Sequence, residues 1–255
     1  MTANTNTTAD SKIALVTGSS KRLGRQMIIE LHKLNYQVII HCFNSKSAAK
    51  DLANQLNTER SNSAKVISGD ITTQDSLEQI VKDAINCFGG LDLLVNNASS
   101  FYPNENLPPA MDKWQDLMGT NMKAPYNLSC LCAPYLKERQ GNIINMVDIH
   151  AKKPLKNHTI YCMAKAGLEM MVKSLACEFA PDIRVNGIAP GAILWPEQHL
   201  PEEQKEAILG QIALKRLGTA QDIANTAIFL ATSPYITGQI IAVDGGRSLL
   251  GANFA

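Results

Sequence analysis

The sequence has almost no excess of either charge and no long apolar run. It contains 24 lysines and arginines against 23 aspartates and glutamates, which gives a formal net charge of +1. This balance provides no electrostatic reason to bind nucleic acid or an acidic membrane surface. The apolar runs are only as long as a strand, so the sequence predicts no transmembrane helix. We therefore expect neither nucleic acid nor a membrane among the partners.

Paired cysteines and metal-binding patterns are also missing. The six cysteines are scattered without a CxxC pair, and no histidine cluster has the spacing of metal ligands. This pattern is typical of reduced thiols in a cytoplasmic protein without a metal site. The first residues are polar and lack the apolar segment of a secretory signal, which predicts a disordered tail over residues 1–11.

What the sequence does contain is an alternation of short β-branched runs with helix-length amphipathic stretches. Such alternation is typical of parallel strands joined by crossover helices. Right-handed crossovers then predict an α/β fold, a doubly wound (Rossmann-type) sheet of seven parallel strands in one domain over residues 12–255. The predicted strands are Ile13–Thr17, Gln37–Cys42, Lys65–Ser68, Leu91–Asn96, Asn142–Val147, Ile183–Ile188 and Gln239–Val243. The predicted helices include Leu23–Leu34, Ala48–Gln55, Thr73–Cys87, Lys113–Leu136 and Tyr161–Phe179.

A turn with two glycines follows the first predicted strand, in the stretch VTGSSKRLGRQ. Gly18 permits a tight turn and Gly24 permits close packing of helix on strand, which together favour a pyrophosphate site at the helix N-terminus. Arg22 stands where a middle glycine is expected. With Lys21 it places two cations at a helix N-terminus, where cations are disfavoured. An anionic ligand explains both cations, and solvated surface charges are the alternative.

The second predicted strand is not followed by an acid. NAD-preferring sites usually carry an aspartate or glutamate about twenty residues beyond the glycines, where it binds the ribose hydroxyls. Here the strand ends in HCFNSKS, which starts at His41. Asn44, Ser45 and Lys46, together with Arg22, offer groups for a 2′-phosphate instead. We therefore expect NADP(H) rather than NAD(H).

The ends of later strands add polar and small residues on the same expected edge of the sheet. Asp70 can receive the adenine amino group, Asn97 and Ala98 allow close approach of the backbone, and Pro190 and Gly191 would lie near the nicotinamide. Each signal is weak alone because such residues are common in turns. The expected cofactor contacts are Gly18, Lys21, Arg22, Leu23, Gly24, His41, Asn44, Ser45, Asp70, Asn97, Ala98, Tyr161, Lys165, Pro190 and Gly191.

The stretch YCMAK places Tyr161 and Lys165 four residues apart, on one face of a predicted helix. A nearby ammonium lowers the pKa of a tyrosine, which makes it a better acid near neutrality. A surface pair without function is the alternative. Two features favour catalysis: the preceding strand is followed by Asp148, and Asn121 lies inside a predicted helix, where asparagine is unfavourable.

The motifs TGxxxxxG, NNA, a mid-chain asparagine, YxxxK and PG occur in this order over nearly the full length. On these motifs the chain resembles the short-chain dehydrogenase/reductase family. Within it the chain is similar to the pteridine reductases, in TGSSKRLG, in NNASSFYP, in MVD where most members carry a serine, and in PLKNHTIYCMAK. The resemblance implies catalytic roles for Asn121, Asp148, Tyr161 and Lys165.

The same resemblance implies how a substrate binds. Phe101 would stack on a pterin and Ser99 would bond to its edge, while Arg22 would reach both the pterin and the cofactor phosphate. Asp148 would pair with Tyr161 and suit protonation of a ring nitrogen. One departure is HCFNS in place of an HYHRS-like stretch, with Asn44 where an arginine is expected.

The expected function is that of an NADPH-dependent pteridine reductase. It would reduce dihydropterins or dihydrofolate, and oxidised pterins as a further option, to the tetrahydro forms. The alternatives are a carbonyl reductase of the same family, for example one acting on 3-oxoacyl thioesters, and a non-catalytic NADP-binding regulator. The resemblance also implies a homotetramer. Residues such as Leu168, Met171, Val172 and Leu175 fit either a core or a subunit interface.

Overall fold

The computed structural model describes residues 11–104, 111–195 and 200–250, and these form a sheet of seven parallel strands. The strand order is β3-β2-β1-β4-β5-β6-β7, so β1 pairs with β2 on one side and with β4 on the other. The strands are β1 Ile13–Val16, β2 Gln37–Cys42, β3 Ala64–Ser68, β4 Leu93–Asn96, β5 Asn142–Met146, β6 Arg184–Pro190 and β7 Ile240–Val243. The predicted doubly wound sheet is confirmed. The predicted tail lies outside the described residues, except for its last position.

Helices cover both faces of the sheet. They are α1 Arg22–Lys33, α2 Lys46–Glu59, α3 Gln74–Phe88, α4 Met111–Met118, α5 Ala124–Glu138, α6 Thr159–Glu178, α7 Glu202–Gly210 and α8 Ala220–Thr232. In the described parts of the chain, no helix is long and apolar enough to cross a membrane.

Alternate residues of the strands enter two separate cores. In β1, Leu15 packs into the core formed with α3, α5 and α6, whereas Ala14 and Val16 pack into the core formed with α1, α2 and α8. This two-sided burial explains why most strand residues are apolar.

The apolar residues of α6 belong to the core of this chain. Leu168, Val172 and Leu175 are buried in it, and Met171 is nearly so. Of the two interpretations that the sequence left open for these positions, the structure therefore favours the core. Met170, on the same helix, is 60% exposed.

The long helix predicted over Lys113–Leu136 is interrupted by a wider turn. Between α4 and α5, residues Gly119–Lys123 form a π-helical segment, with Pro125 at the start of α5. Such segments are rare and occur frequently at functional sites. Asn121 lies within this one.

The carboxyl ends of the strands all meet at one edge of the sheet. The order reverses between β1 and β4, and the crevice at such a reversal is where ligands bind in open α/β sheets. The segments that begin at Gly18, Asn97, Asp148 and Gly191 follow β1, β4, β5 and β6 at this edge. The fold therefore places the predicted motifs together.

The turn between β1 and α1 leaves no space for a side chain at Gly24. A Cβ there would lie 2.7 Å from Asn97 Nδ2 and 2.7 Å from Ser19 Cα, and backbone cannot easily yield. We expect Gly24→Ala to lower the free energy of unfolding by about 1–3 kcal/mol, as measured by urea titration. Gly210→Ala is the matched control, because a Cβ at Gly210 meets nothing within 4 Å. Equal stability of the two variants would contradict this packing.

Candidate active site

The glycine turn is held against β4 by a set of short hydrogen bonds. Gly18 has a φ of +60°, which favours glycine, and a Cβ on it would lie 3.0 Å from Ala98 Cα. Asn97 Nδ2 donates to the carbonyls of Thr17 at 2.8 Å and Gly18 at 3.1 Å. The Thr17 hydroxyl accepts from the backbone N–H groups of Asn97 and Ala98. Asn97 and Thr17 thus shape the turn, a role of Thr17 that sequence analysis missed.

His41 lies beneath the same turn. Its Nδ1 accepts from the backbone N–H of Gly18 at 3.2 Å, and its Nε2 donates to the carbonyl of Gly69 at 3.2 Å. The side chain is 2% exposed, and burial lowers its pKa to about 4. The imidazole is therefore neutral at ordinary pH, as these two bonds require. The structure places His41 as a support of the turn.

Arg22 opens α1 in a conformation that suits the glycine expected at its position. Its φ is +52°, in the left-handed region that costs a non-glycine residue on the order of 1 kcal/mol. Its Nη2 reaches the carbonyl of Trp195 at 3.5 Å. Strained residues of this kind cluster at binding sites.

Two neighbouring cavities share Arg22. The first, called here the glycine-turn cavity, is lined by Gly18, Ser20, Lys21, Arg22, Leu23, Cys42, Phe43, Asn44, Ser45, Asn97, Ala98 and Ser99. The second, called the tyrosine cavity, is lined by Arg22, Leu23, Asn97, Ser99, Phe101, Met146, Val147, Asp148, Tyr161, Lys165, Pro190, Gly191, Ala192, Ile193 and Leu194. Most of the predicted cofactor and substrate residues are therefore brought together around one crevice.

Five predicted residues lie outside both linings, and one of them is Lys46, which the sequence offered for a 2′-phosphate. Gly24 and His41 pack behind the glycine turn, as described above. Asp70 accepts from the backbone N–H and the hydroxyl of Thr72, at 2.9 Å and 2.7 Å, and so closes its own turn. Asn121 is the fifth.

Asn121 is fully buried in the π-helical segment and bonds to the chain after β4. Its Nδ2 donates to the carbonyls of Ser100 at 2.8 Å and Leu117 at 2.9 Å, and its Oδ1 accepts from the Ser99 hydroxyl at 2.5 Å. The wider turn thus carries an amide that fixes Ser99 at the mouth of the tyrosine cavity.

Asp148 and Tyr161 form a direct pair in the tyrosine cavity. The Tyr161 hydroxyl donates to Asp148 Oδ2 at 2.8 Å, while Asp148 Oδ1 accepts from the backbone N–H of His150. Tyr161 is 4% exposed, and burial, followed by the Asp148 carboxylate, raises its pKa above the usual value. The expectation of a lowered tyrosine pKa is therefore wrong, because burial and a neighbouring carboxylate both disfavour the phenolate.

Lys165 lies behind the tyrosine. Its Nζ donates to the carbonyl of Met146 at 2.8 Å and lies 5.5 Å from the centroid of the Tyr161 ring. The side chain is 2% exposed, and burial lowers its pKa to about 8, an effect that Asp148 partly opposes. The site thus holds a buried cation that is close to releasing its proton.

Phe101 stands at the opening of the tyrosine cavity. The residue is 57% exposed, and its ring meets the Tyr161 ring edge-on, with 4.8 Å between centroids. An exposed aromatic ring beside a phenol and a carboxylate can hold a flat, hydrogen-bonding molecule. Among the described residues, no cluster of histidine, cysteine, aspartate or glutamate could hold a metal ion.

Comparisons with known proteins agree with this geometry at the level of the family. A family model described as Enoyl-(Acyl carrier protein) reductase matches residues 18–248. The 3-oxoacyl-(acyl-carrier-protein) reductase FabG of Staphylococcus aureus (strain Mu50) is 35% identical over 241 residues, which cover 92% of this chain and 98% of the relative. The protein of the same name from Staphylococcus epidermidis (strain ATCC 12228) is 34% identical with the same coverage. These names favour the carbonyl reductase alternative over the pteridine reductase.

Burial of Lys165 predicts a particular dependence of stability on pH. The folded chain releases the Lys165 proton near pH 8, whereas the ordinary value is 10.5. Between these values the unfolded chain binds more protons, so this lysine makes wild-type stability rise with pH, by about 3 kcal/mol in total for a shift of this size. We expect Lys165→Met to lack this contribution, as measured by urea unfolding at several pH values.

The exposed Lys156 provides the control, since Lys156→Met removes a lysine without removing a buried charge. The difference in unfolding free energy between wild type and Lys165→Met should change across this window, and that for Lys156→Met should not. A constant difference for both variants would contradict the buried-ammonium interpretation.

The support given by His41 predicts an effect on cofactor affinity. We expect His41→Ala to weaken binding of the nicotinamide cofactor about 10-fold, because the backbone N–H of Gly18 loses its acceptor. His41→Asn should recover part of this loss, since its Oδ1 can replace Nδ1. Calorimetric titration with NADPH measures both variants, and wild-type affinity in His41→Ala would overturn the assignment.

Proposed function

This chain belongs to the short-chain dehydrogenase/reductase family, and we propose that it is an NADPH-dependent reductase of a pterin ring, with a dihydropterin or dihydrofolate as substrate. The observation that carries the proposal is the 2.8 Å hydrogen bond from the Tyr161 hydroxyl to Asp148 Oδ2 in the tyrosine cavity.

A carboxylate at this position suits a nitrogen ring better than a ketone. An ionised carboxylate only accepts hydrogen bonds, so it cannot donate to a carbonyl oxygen. It would also repel the negative charge that develops on a ketone oxygen during reduction. A pterin presents amino and ring N–H donors, together with a ring nitrogen that must gain a proton. Asp148 can accept from the donors and, once it has taken up a proton from solvent, can pass that proton on with Tyr161.

The glycine-turn cavity fits a phosphorylated dinucleotide. The described part of its lining contains the cations Lys21 and Arg22 and contains no acid, which favours NADP(H) over NAD(H). Because Gly18 has no side chain, the backbone of the glycine turn stays accessible to a ligand, whereas a Cβ at this position would fill the turn. Asn44 and Ser45 would hold the 2′-phosphate side, and Pro190 and Gly191 would lie beside the nicotinamide. The bound cofactor supplies the hydride.

The remaining residues would bind the ring and control the proton. Phe101 would stack on one face of the substrate, Ser99 would bond to its edge, and Arg22, at the junction of the two cavities, would contact both ligands. Tyr161 stays protonated because its pKa is raised, so it carries a proton but is a weak acid on its own. Lys165 places positive charge behind the phenol ring and offsets the charge left after transfer.

Reduction of a 3-oxoacyl thioester is the second candidate. The names of the staphylococcal relatives favour it, at 35% and 34% identity over nearly their full lengths. The same catalytic tyrosine and lysine would serve, with Tyr161 donating to the ketone oxygen. Asp148 counts against it for the electrostatic reason given above.

Parallel assays of NADPH oxidation with dihydrobiopterin, dihydrofolate and a 3-oxoacyl thioester separate the candidates. We expect turnover of the pterin or folate by the wild type. Asp148→Ser should lower it about 100-fold, the usual effect of losing one proton-transfer group, with NADPH affinity retained. Asp148→Asn is the matched comparison, because it keeps the shape of the Asp148 side chain and removes its charge, and so separates the effect of charge from that of shape. Wild-type turnover of the thioester alone would overturn the pterin proposal in favour of the second candidate.

A further inference from the structure

The exposed ring of Phe101 is stacked on a second aromatic ring. The His158 imidazole lies nearly parallel to it, with an interplanar angle of 16° and 4.7 Å between centroids. The rings of Phe101 and Tyr161 also meet, in an edge-to-face contact. The His158 ring, just before α6, and the Tyr161 ring, within α6, thus fix the plane of the Phe101 ring, which lies on the loop after β4.

Backbone contacts join the same two segments. The backbone N–H of Asn104 donates to the carbonyl of Asn157 at 2.7 Å, and the backbone N–H of Ile160 donates to Asn104 Oδ1 at 3.3 Å. Asn157 has a φ of +63°, which turns the chain just before α6. The loop that carries Phe101 is therefore anchored on both sides of His158.

The orientation of His158 is itself fixed. Its Nδ1 donates to the carbonyl of Lys156 at 2.8 Å, which holds the imidazole plane relative to its own loop. His158 precedes α6, yet its side chain makes no capping bond. The imidazole is therefore placed by its bond to Lys156 and by its contact with Phe101, while only the backbone carbonyl of His158 serves the helix.

We propose that His158 is a positioning residue that holds the Phe101 ring in a fixed plane beside Tyr161, and so makes the site selective for a flat substrate. A phenylalanine with more than half of its surface in solvent would otherwise sample several rotamers, and a bound ring would have to order it. With His158 on one face, the other parts of the ring remain available for the substrate. The inference rests on the proposed function, since it gives Phe101 the role of a stacking wall.

Steady-state kinetics with dihydrobiopterin test the role. Since one aromatic pair typically changes affinity by about 3- to 10-fold, we expect His158→Ala to raise KM by that factor, with kcat within about 2-fold and NADPH affinity unchanged. His158→Phe restores a stacked ring and should restore KM. Lys156→Ala is the control from the same loop, because it keeps the backbone carbonyl that orients His158.

If His158 only stabilised the fold, its removal would have different effects on kcat, KM and the melting temperature. If His158→Ala lowered kcat and the melting temperature together, or if His158→Phe failed to restore KM, the proposal would be overturned.

Fluorine NMR separates this proposal from the choice of substrate. In protein labelled with 4-fluorophenylalanine, Phe101→Leu identifies the Phe101 resonance. We expect His158→Ala to shift and narrow that resonance, because the ring-current field of the imidazole is lost and the ring moves more freely. The shift should occur whether or not the enzyme reduces pterins, so absence of pterin turnover sinks the proposed function alone. An unchanged resonance sinks the role of His158.

Discussion

A parallel sheet that is buried on both faces leaves room for polar chemistry only beyond the ends of its strands. In this protein the strands fill two apolar cores, and alternate residues of β1 enter each of them. Polar side chains that face either core would need partners there. The segments that begin at Gly18, Asn97, Asp148 and Gly191 instead follow their strands at one edge, where the strand order reverses. The location of the site follows from how the core is buried.

The sequence predicts this much because strand burial and strand ends are local properties. A run of β-branched residues marks a strand, and the residue after it is at the sheet edge whatever the details of packing. The seven strands and the placing of Gly18, Asn97 and Gly191 at one edge were predictable in this way, whereas Tyr161 was predicted from the YxxxK spacing and Ser99 from the family resemblance. The direction in which the Tyr161 pKa shifts was not predictable, since it depends on burial and on Asp148, thirteen residues away. The sequence indicated His41 as a cofactor contact but not its support of Gly18, and it did not indicate His158, because both histidines contact segments that are distant in the chain.

Family membership and substrate are decided by different residues. The match to the family spans residues 18–248, which include most of the glycine turn, six of the seven strands and the YxxxK pair. Substrate choice depends on the few groups that face the reacting atoms. Identity of 35% to the staphylococcal relatives therefore constrains the fold far more than the substrate. A carboxylate at Asp148 changes what the cavity can bind, because it accepts hydrogen bonds and carries charge.

The unfavourable features of this fold are concentrated at the same crevice. Arg22 adopts a left-handed backbone, Lys165 is a buried lysine whose pKa falls to about 8, and Phe101 exposes most of its ring. Each lowers the stability of the folded chain or leaves apolar surface in water. Folding alone gives no reason to place all three within one crevice. Ligands do: an anion uses the guanidinium, a flat ring covers the phenylalanine, and a charge developing at Tyr161 uses the ammonium. The unfavourable features around the crevice are therefore best explained by binding and catalysis, because ligands would add contacts to those that Arg22, Lys165 and Phe101 already make within the chain.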